Sequence, residues 1–233
     1  MDRYKETFEA WNKMAALYQV KFMDLDLYND SYDLICKSIT KKKASLLEIG
    51  CGPGNITRYL LSKRPDFNIL GIDIAANMIA LAQKNNPTAK FKVMDCRQIG
   101  EIDTLFDGIV GGFCMPYLSY PNCVQLIAKT HKLLSNNGLL YLSFVEGDIN
   151  KSGFKVGPNG NRVYFNYHNL DSIKKILSIH KFEDPEVYHV NYPKTGSLSE
   201  KHTILICRKK ECDRKNAKMF VKSNIHRNIA IYK

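Results

Sequence analysis

The stretch Leu46-Leu47-Glu48-Ile49-Gly50-Cys51-Gly52-Pro53-Gly54-Asn55-Ile56-Thr57 constrains the fold of this chain more than any other. An apolar run carries an acid near its end, glycines follow at alternate positions, and a helix-forming segment comes next. Glycine has no Cβ, so such a loop turns tightly and lets a ligand approach its backbone. Open α/β sheets hold nucleotide-like cofactors at a strand, loop and helix junction of this kind. A dinucleotide loop of the form G-x-G-x-x-G needs its third glycine at residue 55, where this chain has Asn55. Here the third glycine is Gly54.

The segments around this loop alternate. Residues 1–43 read as a helical N-terminal cap, with Phe8, Trp11, Ala15, Tyr18 and Phe22 recurring at three- and four-residue steps. Strands are predicted at 46–49, 68–72, 91–94, 106–112 and 139–145, and helices at 55–62, 75–84 and 123–134. Asn136-Asn137-Gly138 reads as the turn before the fifth strand. Residues 146–166 then break the rhythm with a predicted β-hairpin turning at Asn159-Gly160. A helix at 171–179 and two final strands at 186–192 and 203–207, an antiparallel pair, complete the chain. Such alternation builds an α/β sheet covered on both faces.

Composition sets the limits. The 233 residues, 45% hydrophobic and 24% charged, suit one globular domain with a sizeable core. No apolar run reaches the roughly 20 residues that span a bilayer, and the first residues lack a secretory pattern, so a cytoplasmic protein is expected. Seven cysteines without a C-x-x-C pair predict reduced thiols in or near the core rather than a disulfide framework. The net charge of +11 is uneven: residues 208–233 carry +7 and the remaining 207 residues only +4. Residues 209–233 are therefore a basic tail, expected to be solvated, with RNA binding as its other reading.

Three acids, Glu48, Asp73 and Asp95, fall at three successive strand ends, 25 and 22 residues apart. Each interval is about one strand, helix and strand, so all three reach the same sheet edge, where open α/β sheets bind ligands. An acid at the second strand end can accept both hydrogens of a ribose diol. Asp73 can equally cap the helix that starts near Ala75, and Asp95 can be a turn residue.

With Glu48 two residues before the first glycine, the loop resembles the first motif of the class I S-adenosylmethionine-dependent methyltransferases, of the small-molecule type. Leu70-Gly71-Ile72-Asp73-Ile74-Ala75-Ala76-Asn77-Met78 is similar to the stretch that follows it, and Phe91-Lys92-Val93-Met94-Asp95-Cys96 to the adenine-binding segment. Phe106-Asp107-Gly108-Ile109-Val110 resembles the fourth motif, and 133–140 the turn before the fifth strand. The resemblance implies a doubly wound, Rossmann-like seven-stranded sheet, mostly parallel with an antiparallel last strand, and a methyltransferase domain over residues 44–208 with a substrate-side insertion at 146–168. It implies S-adenosylmethionine contacts at Glu48, Gly50, Cys51, Gly52, Asp73, Ile74, Met78, Asp95, Cys96 and Gly112, with S-adenosylhomocysteine as product.

The implied chemistry is in-line methyl transfer, which asks mainly for positioning. Methyltransferases acting on exocyclic amines carry Asn or Asp before Pro-Pro-Tyr at the fourth strand end. The matching positions here are Gly112 to Met115, closer to the small-molecule branch, so a small-molecule acceptor is expected. Tyr117 is then a candidate for the acceptor pocket, and His168, beside Tyr164 and Tyr167 in the insertion, a candidate base. Tyr18 and Phe22 read either as core or as a cover for the site. Glu146 and Asp148 lack a partner set for a divalent metal, and none is expected. A monomer or homodimer without membrane partners is expected. An RNA methyltransferase aided by the tail, and a non-catalytic cofactor-binding module, are the competing readings.

Overall fold

The computed structural model describes residues 3–157, 160–194 and 199–211. Basic-tail residues 212–233, Cys212 among them, and Asn159 of the predicted turn lie outside the described residues. The elements run α1 (Arg3–Phe22), α2 (Asn29–Ser38), β1 (Ser45–Ile49), α3 (Asn55–Lys63), β2 (Asn68–Asp73), α4 (Ala76–Asn85), β3 (Lys90–Val93) and β4 (Phe106–Gly111). Then follow α5 (Tyr120–Leu133), β5 (Leu134–Val145), β6 (Gly153–Val156), β7 (Arg162–Phe165), α6 (Leu170–Ile179), β8 (Glu186–Pro193) and β9 (Ser199–Arg208).

The main sheet has the order β3-β2-β1-β4-β5-β9-β8. β1 pairs in parallel with β2 on one side and β4 on the other, so the strand order reverses at β1 and a crevice opens beyond its carboxyl end. Only β9, last in the chain, runs antiparallel to its neighbours β5 and β8. Alternation along each strand divides the core into two layers. Leu47, Ile109, Leu140 and Leu205 face α5 and α6, whereas Leu46, Val110, Tyr141 and Ile206 face α2 and α3. Full burial of each large side chain is worth about 1.5–3 kcal/mol, and the near-continuous apolar runs of the central strands follow from having both faces covered.

Three expectations change in detail. The helical cap is two helices, because Arg58 binds the Met23 carbonyl at 2.6 Å and Asp24 at 2.5 Å, holding residues 23–28 in an irregular turn. Helix α5 starts at Tyr120 with a proline in its first turn, and β5 begins at Leu134. Asn136-Asn137-Gly138 is therefore no separate turn but a bulge within β5. The pairing jumps from Phe106↔Leu134 to Gly108↔Leu139, and Asn137 takes a φ of 59°.

The predicted hairpin is a two-stranded sheet of its own, β6 with β7. Its return ties to the loop after β4, with the Asn166 amide donating to the Pro116 carbonyl at 2.7 Å. It also holds α1 across the crevice. The Tyr164 amide donates to Thr7 Oγ1 at 2.9 Å, Arg162 pairs with Glu6, and Arg3 lies 4.6 Å over the Tyr164 ring. At its other side α1 meets α4, where Asn12 accepts from the Asn77 amide at 2.8 Å.

Gly54 shows why this junction demands glycine. Its φ is 81°, and a Cβ there would overlap Asn86 Nδ2 and crowd Ala82 at 3.3 Å. Gly54→Ala is expected to cost about 2 kcal/mol from left-handed strain and overpacking, measured as a lowered urea midpoint.

Candidate active site

The loop between β1 and α3 is shaped by three consecutive amides. Gly50 and Cys51 both donate to the Ile72 carbonyl, at 2.8 and 2.9 Å, and Gly52 donates to Asp73 Oδ2 at 3.0 Å. Gly50 and Gly52 adopt φ of 69° and 52° to do so. The loop therefore folds back on β2 and leaves its outer side open. A Cβ at Gly50 would lie 3.0 Å from Cys114 Cβ, and Tyr18 packs 3.6 Å from the corresponding position at Gly52.

The three acids gather on this edge. The second oxygen of Asp73 accepts the Ala75 amide at 2.8 Å, so this residue does cap the entry to α4. Burial raises its pKa, against the pull of its backbone donors. Each oxygen keeps a further lone pair for the cleft that Asp73 lines. Asp95 is gripped by Arg97, whose Nη2 approaches to 2.5 Å, and the Arg97 guanidinium covers the Tyr4 ring at 4.5 Å. Glu48 is 1% exposed. Thr57 donates to one of its oxygens, while the other, also buried, has no hydrogen-bond partner. Burial pushes its pKa up to about 8.

Two chambers meet under α1. One, about 910 Å³ of empty space, is lined by Asp73, Ile74, Met78, Asp95, Cys96 and Leu118. The other, about 940 Å³, is lined by Tyr28, Glu48, Phe165, Tyr192, Glu200 and His202 among others. They share Trp11, Tyr18, Gly50, Gly112, Phe113 and Tyr117. Tyr117 stands at the junction, its ring edge-on to Trp11 at 5.4 Å. Burial holds its phenol far above the usual range, so it serves as a protonated wall rather than a base.

Several predicted residues sit elsewhere. Cys51 does not line either chamber: it is 1% exposed and clusters with Ile79, Ala82 and Phe91, and its amide is spent on Ile72. His168 is 2% exposed, with Nε2 2.9 Å from the Met115 carbonyl and 3.8 Å from Cys123 Sγ. It braces the loop before α5 from within the core and is in no position to meet an acceptor. Tyr164 packs against Arg3 and Phe154, and Tyr167 binds Glu200 from behind, so Phe165 is the hairpin aromatic that faces the second chamber. Phe22 and Tyr18 face the chamber too, although helical spacing alone left them between core and cover. Sequence reasoning missed Tyr28, Glu200 and His202. The alternation Glu200-x-His202 on β9 puts both on one face, a signal that the surrounding apolar residues concealed. Among the described residues no group of three or more His, Cys, Asp or Glu side chains is arranged to hold a metal ion, and no helix is long and apolar enough to cross a membrane.

A glycine loop after β1, with acids after β2 and β3 at the switch point of a doubly wound sheet, defines a Rossmann-like site for an adenosine-bearing ligand. Residues 46–138 match the family model described as a methyltransferase domain. The chain is 32% identical over 112 residues to the protein 235L of Invertebrate iridescent virus 6, covering 48% of this chain and 40% of that one. It is 28% identical over 130 residues to trans-aconitate 2-methyltransferase of Variovorax paradoxus (strain S110), covering 56% and 48%. The chain thus spans less than half the length of either relative. Its fold is like that of the 1,6-didemethyltoxoflavin-N1-methyltransferase of Burkholderia thailandensis, at a TM-score of 0.61 and 19% identity over 87% of this chain and 88% of that one. That structure holds 1,6-didemethyltoxoflavin and S-adenosylhomocysteine. Over residues 46–138 the chain is thus similar to methyltransferase domains, and its fold is the Rossmann-like one of S-adenosylmethionine-dependent methyltransferases of known structure.

Because the carboxyl of Glu48 is held protonated, it links stability to pH. A folded-state value of about 8 against the ordinary 4.5 means that its stability contribution is full below 4.5 and is lost as pH rises to about 8. Glu48→Gln is expected to flatten the fall in urea midpoint between about pH 5 and about pH 8. Equal slopes for the two proteins would contradict this assignment.

Proposed function

We propose that this chain binds S-adenosylmethionine in the Asp73 chamber and methylates a small molecule held in the adjoining aromatic chamber. The observation that carries this reading is the contiguity of the two spaces, which share the loop glycine Gly50 and the strand-end Gly112. One space offers acids and apolar walls suited to an adenosine, and the other is a walled pocket of small-molecule size. Relatives that are named for methylating small molecules support the same class of acceptor.

The residues present fit such a cofactor. Asp73 is oriented by the Gly52 and Ala75 amides and would receive the ribose hydroxyls. Ile74, Met78 and Leu118 would flank the adenine, with Asp95 and the Cys96 amide at its edge. The unpartnered buried oxygen of Glu48 is matched to an ammonium group, since a cation there would favour the ionised carboxyl and supply the partner that the protein leaves open. Gly50 and Gly112 keep the floor between the chambers free of side chains: a Cβ at Gly112 would overlap Ile56. Bound there, S-adenosylmethionine supplies a methyl group on a sulfonium, whose C–S bonding pair returns to sulfur as the acceptor bond forms. The task left to the protein is to hold the acceptor in line and keep water out, and the rings of Trp11, Tyr18 and Tyr117 close the junction for that purpose.

Asp73→Ala removes both the ribose acceptor and the anchor of Gly52. Calorimetry with S-adenosylhomocysteine is expected to show affinity reduced about 10- to 100-fold, the equivalent of losing one or two charge-assisted hydrogen bonds. Wild-type protein that fails to bind S-adenosylhomocysteine would overturn the reading.

A further inference from the structure

Three polar groups of the aromatic chamber form a chain that cofactor binding leaves unused. Glu200 and His202 leave the same face of β9. His202 Nε2 lies 3.6 Å from Glu200 Oε2, and its Nδ1 lies 2.7 Å from the Tyr28 hydroxyl. A carboxylate beside Nε2 favours a proton on that nitrogen, which makes Nδ1 the acceptor for the Tyr28 O–H. The order carboxylate, imidazole, hydroxyl then conducts a proton away from Tyr28. The imidazole is clamped, with the Tyr28 and Tyr192 rings parallel to it within 9° at 6.0 and 5.0 Å and Phe113 at 4.8 Å. A buried His202 Nε2 without a full hydrogen bond is an expensive way to fill a core, and an apolar residue would pack there without that cost.

We propose that Tyr28, His202 and Glu200 form a proton relay, and that the methyl acceptor is a flat aromatic or heteroaromatic molecule reacting through an acidic O–H or ring N–H. This rests on the reading that the aromatic chamber receives the acceptor. The ring class follows from the walls, where Tyr32, Phe113, Phe165 and Tyr192 offer faces and edges to a flat ring. A carboxylate acceptor would meet the charge of Glu200, with Lys21 the only Lys or Arg among the described lining residues. A protonated amine would find neither carboxylate free. Glu48 faces the cofactor's ammonium, and Glu200 is held by Lys194 at 2.5 Å, by the Tyr167 hydroxyl and by His202.

The step balances. When the acceptor O–H or N–H bond breaks, its electron pair stays on the heteroatom as the nucleophile, and the new bond is the one to the transferred methyl. The proton passes to Tyr28 Oη as Tyr28's own proton moves to His202 Nδ1, and Glu200 offsets the imidazolium until the proton leaves to solvent. Burial holds the Tyr28 phenol well above its ordinary value, so it hands a proton on rather than resting as phenolate. The other titratable groups around Tyr28 are the phenols of Tyr18, Tyr32, Tyr141 and Tyr192 and the Glu200 carboxylate. Tyr28 touches the acceptor in this scheme, whereas His202 and Glu200 act through it as positioning residues.

The test uses the full chain saturated with S-adenosylhomocysteine and 4-nitrophenol as probe, whose anion is read by its absorbance. Failure to bind S-adenosylhomocysteine would refute the cofactor reading and is scored separately by calorimetry. In the wild type, the bound probe is expected to ionise at a proton concentration about tenfold higher than in solution. Tyr28→Phe, which removes one oxygen and keeps the ring, and His202→Gln are each expected to erase that difference while still binding S-adenosylhomocysteine. An unshifted probe in the wild type, or the same shift in wild type and both variants, overturns the relay. If both variants lose S-adenosylhomocysteine binding through misfolding, the wild-type shift alone decides. No binding of 4-nitrophenol to the loaded protein, or preference for benzylamine over it, overturns the acceptor class.

Discussion

Three neighbouring amides, those of Gly50, Cys51 and Gly52, spend their hydrogen bonds on the last residues of β2. Each bond is worth only about 1 kcal/mol net, but together they fix the direction in which the chain leaves β1. Because the loop is drawn toward β2, it does not fill the crevice at the switch point, and α3 starts where its first turn packs under the sheet. Asp73 takes part in this anchoring and also faces the cleft, so the same carboxylate shapes the loop and marks the binding space. Positive φ at successive glycines is the conformational condition for that arrangement.

Around this anchor the protein tolerates groups that a core would ordinarily reject. The Glu48 carboxyl is buried with one oxygen unmatched, and the His202 imidazole has a nitrogen short of a full bond. Both lie on the walls of the second chamber, which is where unsatisfied polarity has a use, since a bound molecule can supply the missing partner. His168 offers a contrast. Its unbonded Nδ1 is also buried, yet it sits behind Met115 and Cys123 and lines neither chamber.

The parts of this architecture that were legible in the sequence are those governed by local rules. The strand run 46–49, the glycine spacing and the regular return of acids at Glu48, Asp73 and Asp95 depend on neighbours within a few residues or on a repeated unit length. The bulge at Asn136-Asn137-Gly138 escaped because turn-forming residues look alike whether they end a strand or distort one. The second chamber escaped for a different reason. Its walls come from α1, the 23–28 turn, β7 and β9, and each residue taken alone carries an ordinary pattern. His168 drew attention because it stood in an irregular insertion, whereas His202 lay hidden in the apolar run of β9. Cys51 shows the reverse error: proximity in sequence to the loop glycines did not predict the direction of its side chain, which packs with Ile79, Ala82 and Phe91.

The division of labour between main chain and side chain has an evolutionary consequence. The floor beneath both chambers is backbone at Gly50 and Gly112, and the Asp73 carboxylate is set by amides that every residue type except proline possesses. The second chamber, by contrast, owes its shape to exchangeable rings such as Phe22, Phe165 and Tyr192 on three separate segments. Substitution at those rings redraws the selectivity of the pocket and leaves the floor in register. A pocket built in this way can change its shape one side chain at a time without disturbing the floor on which it stands.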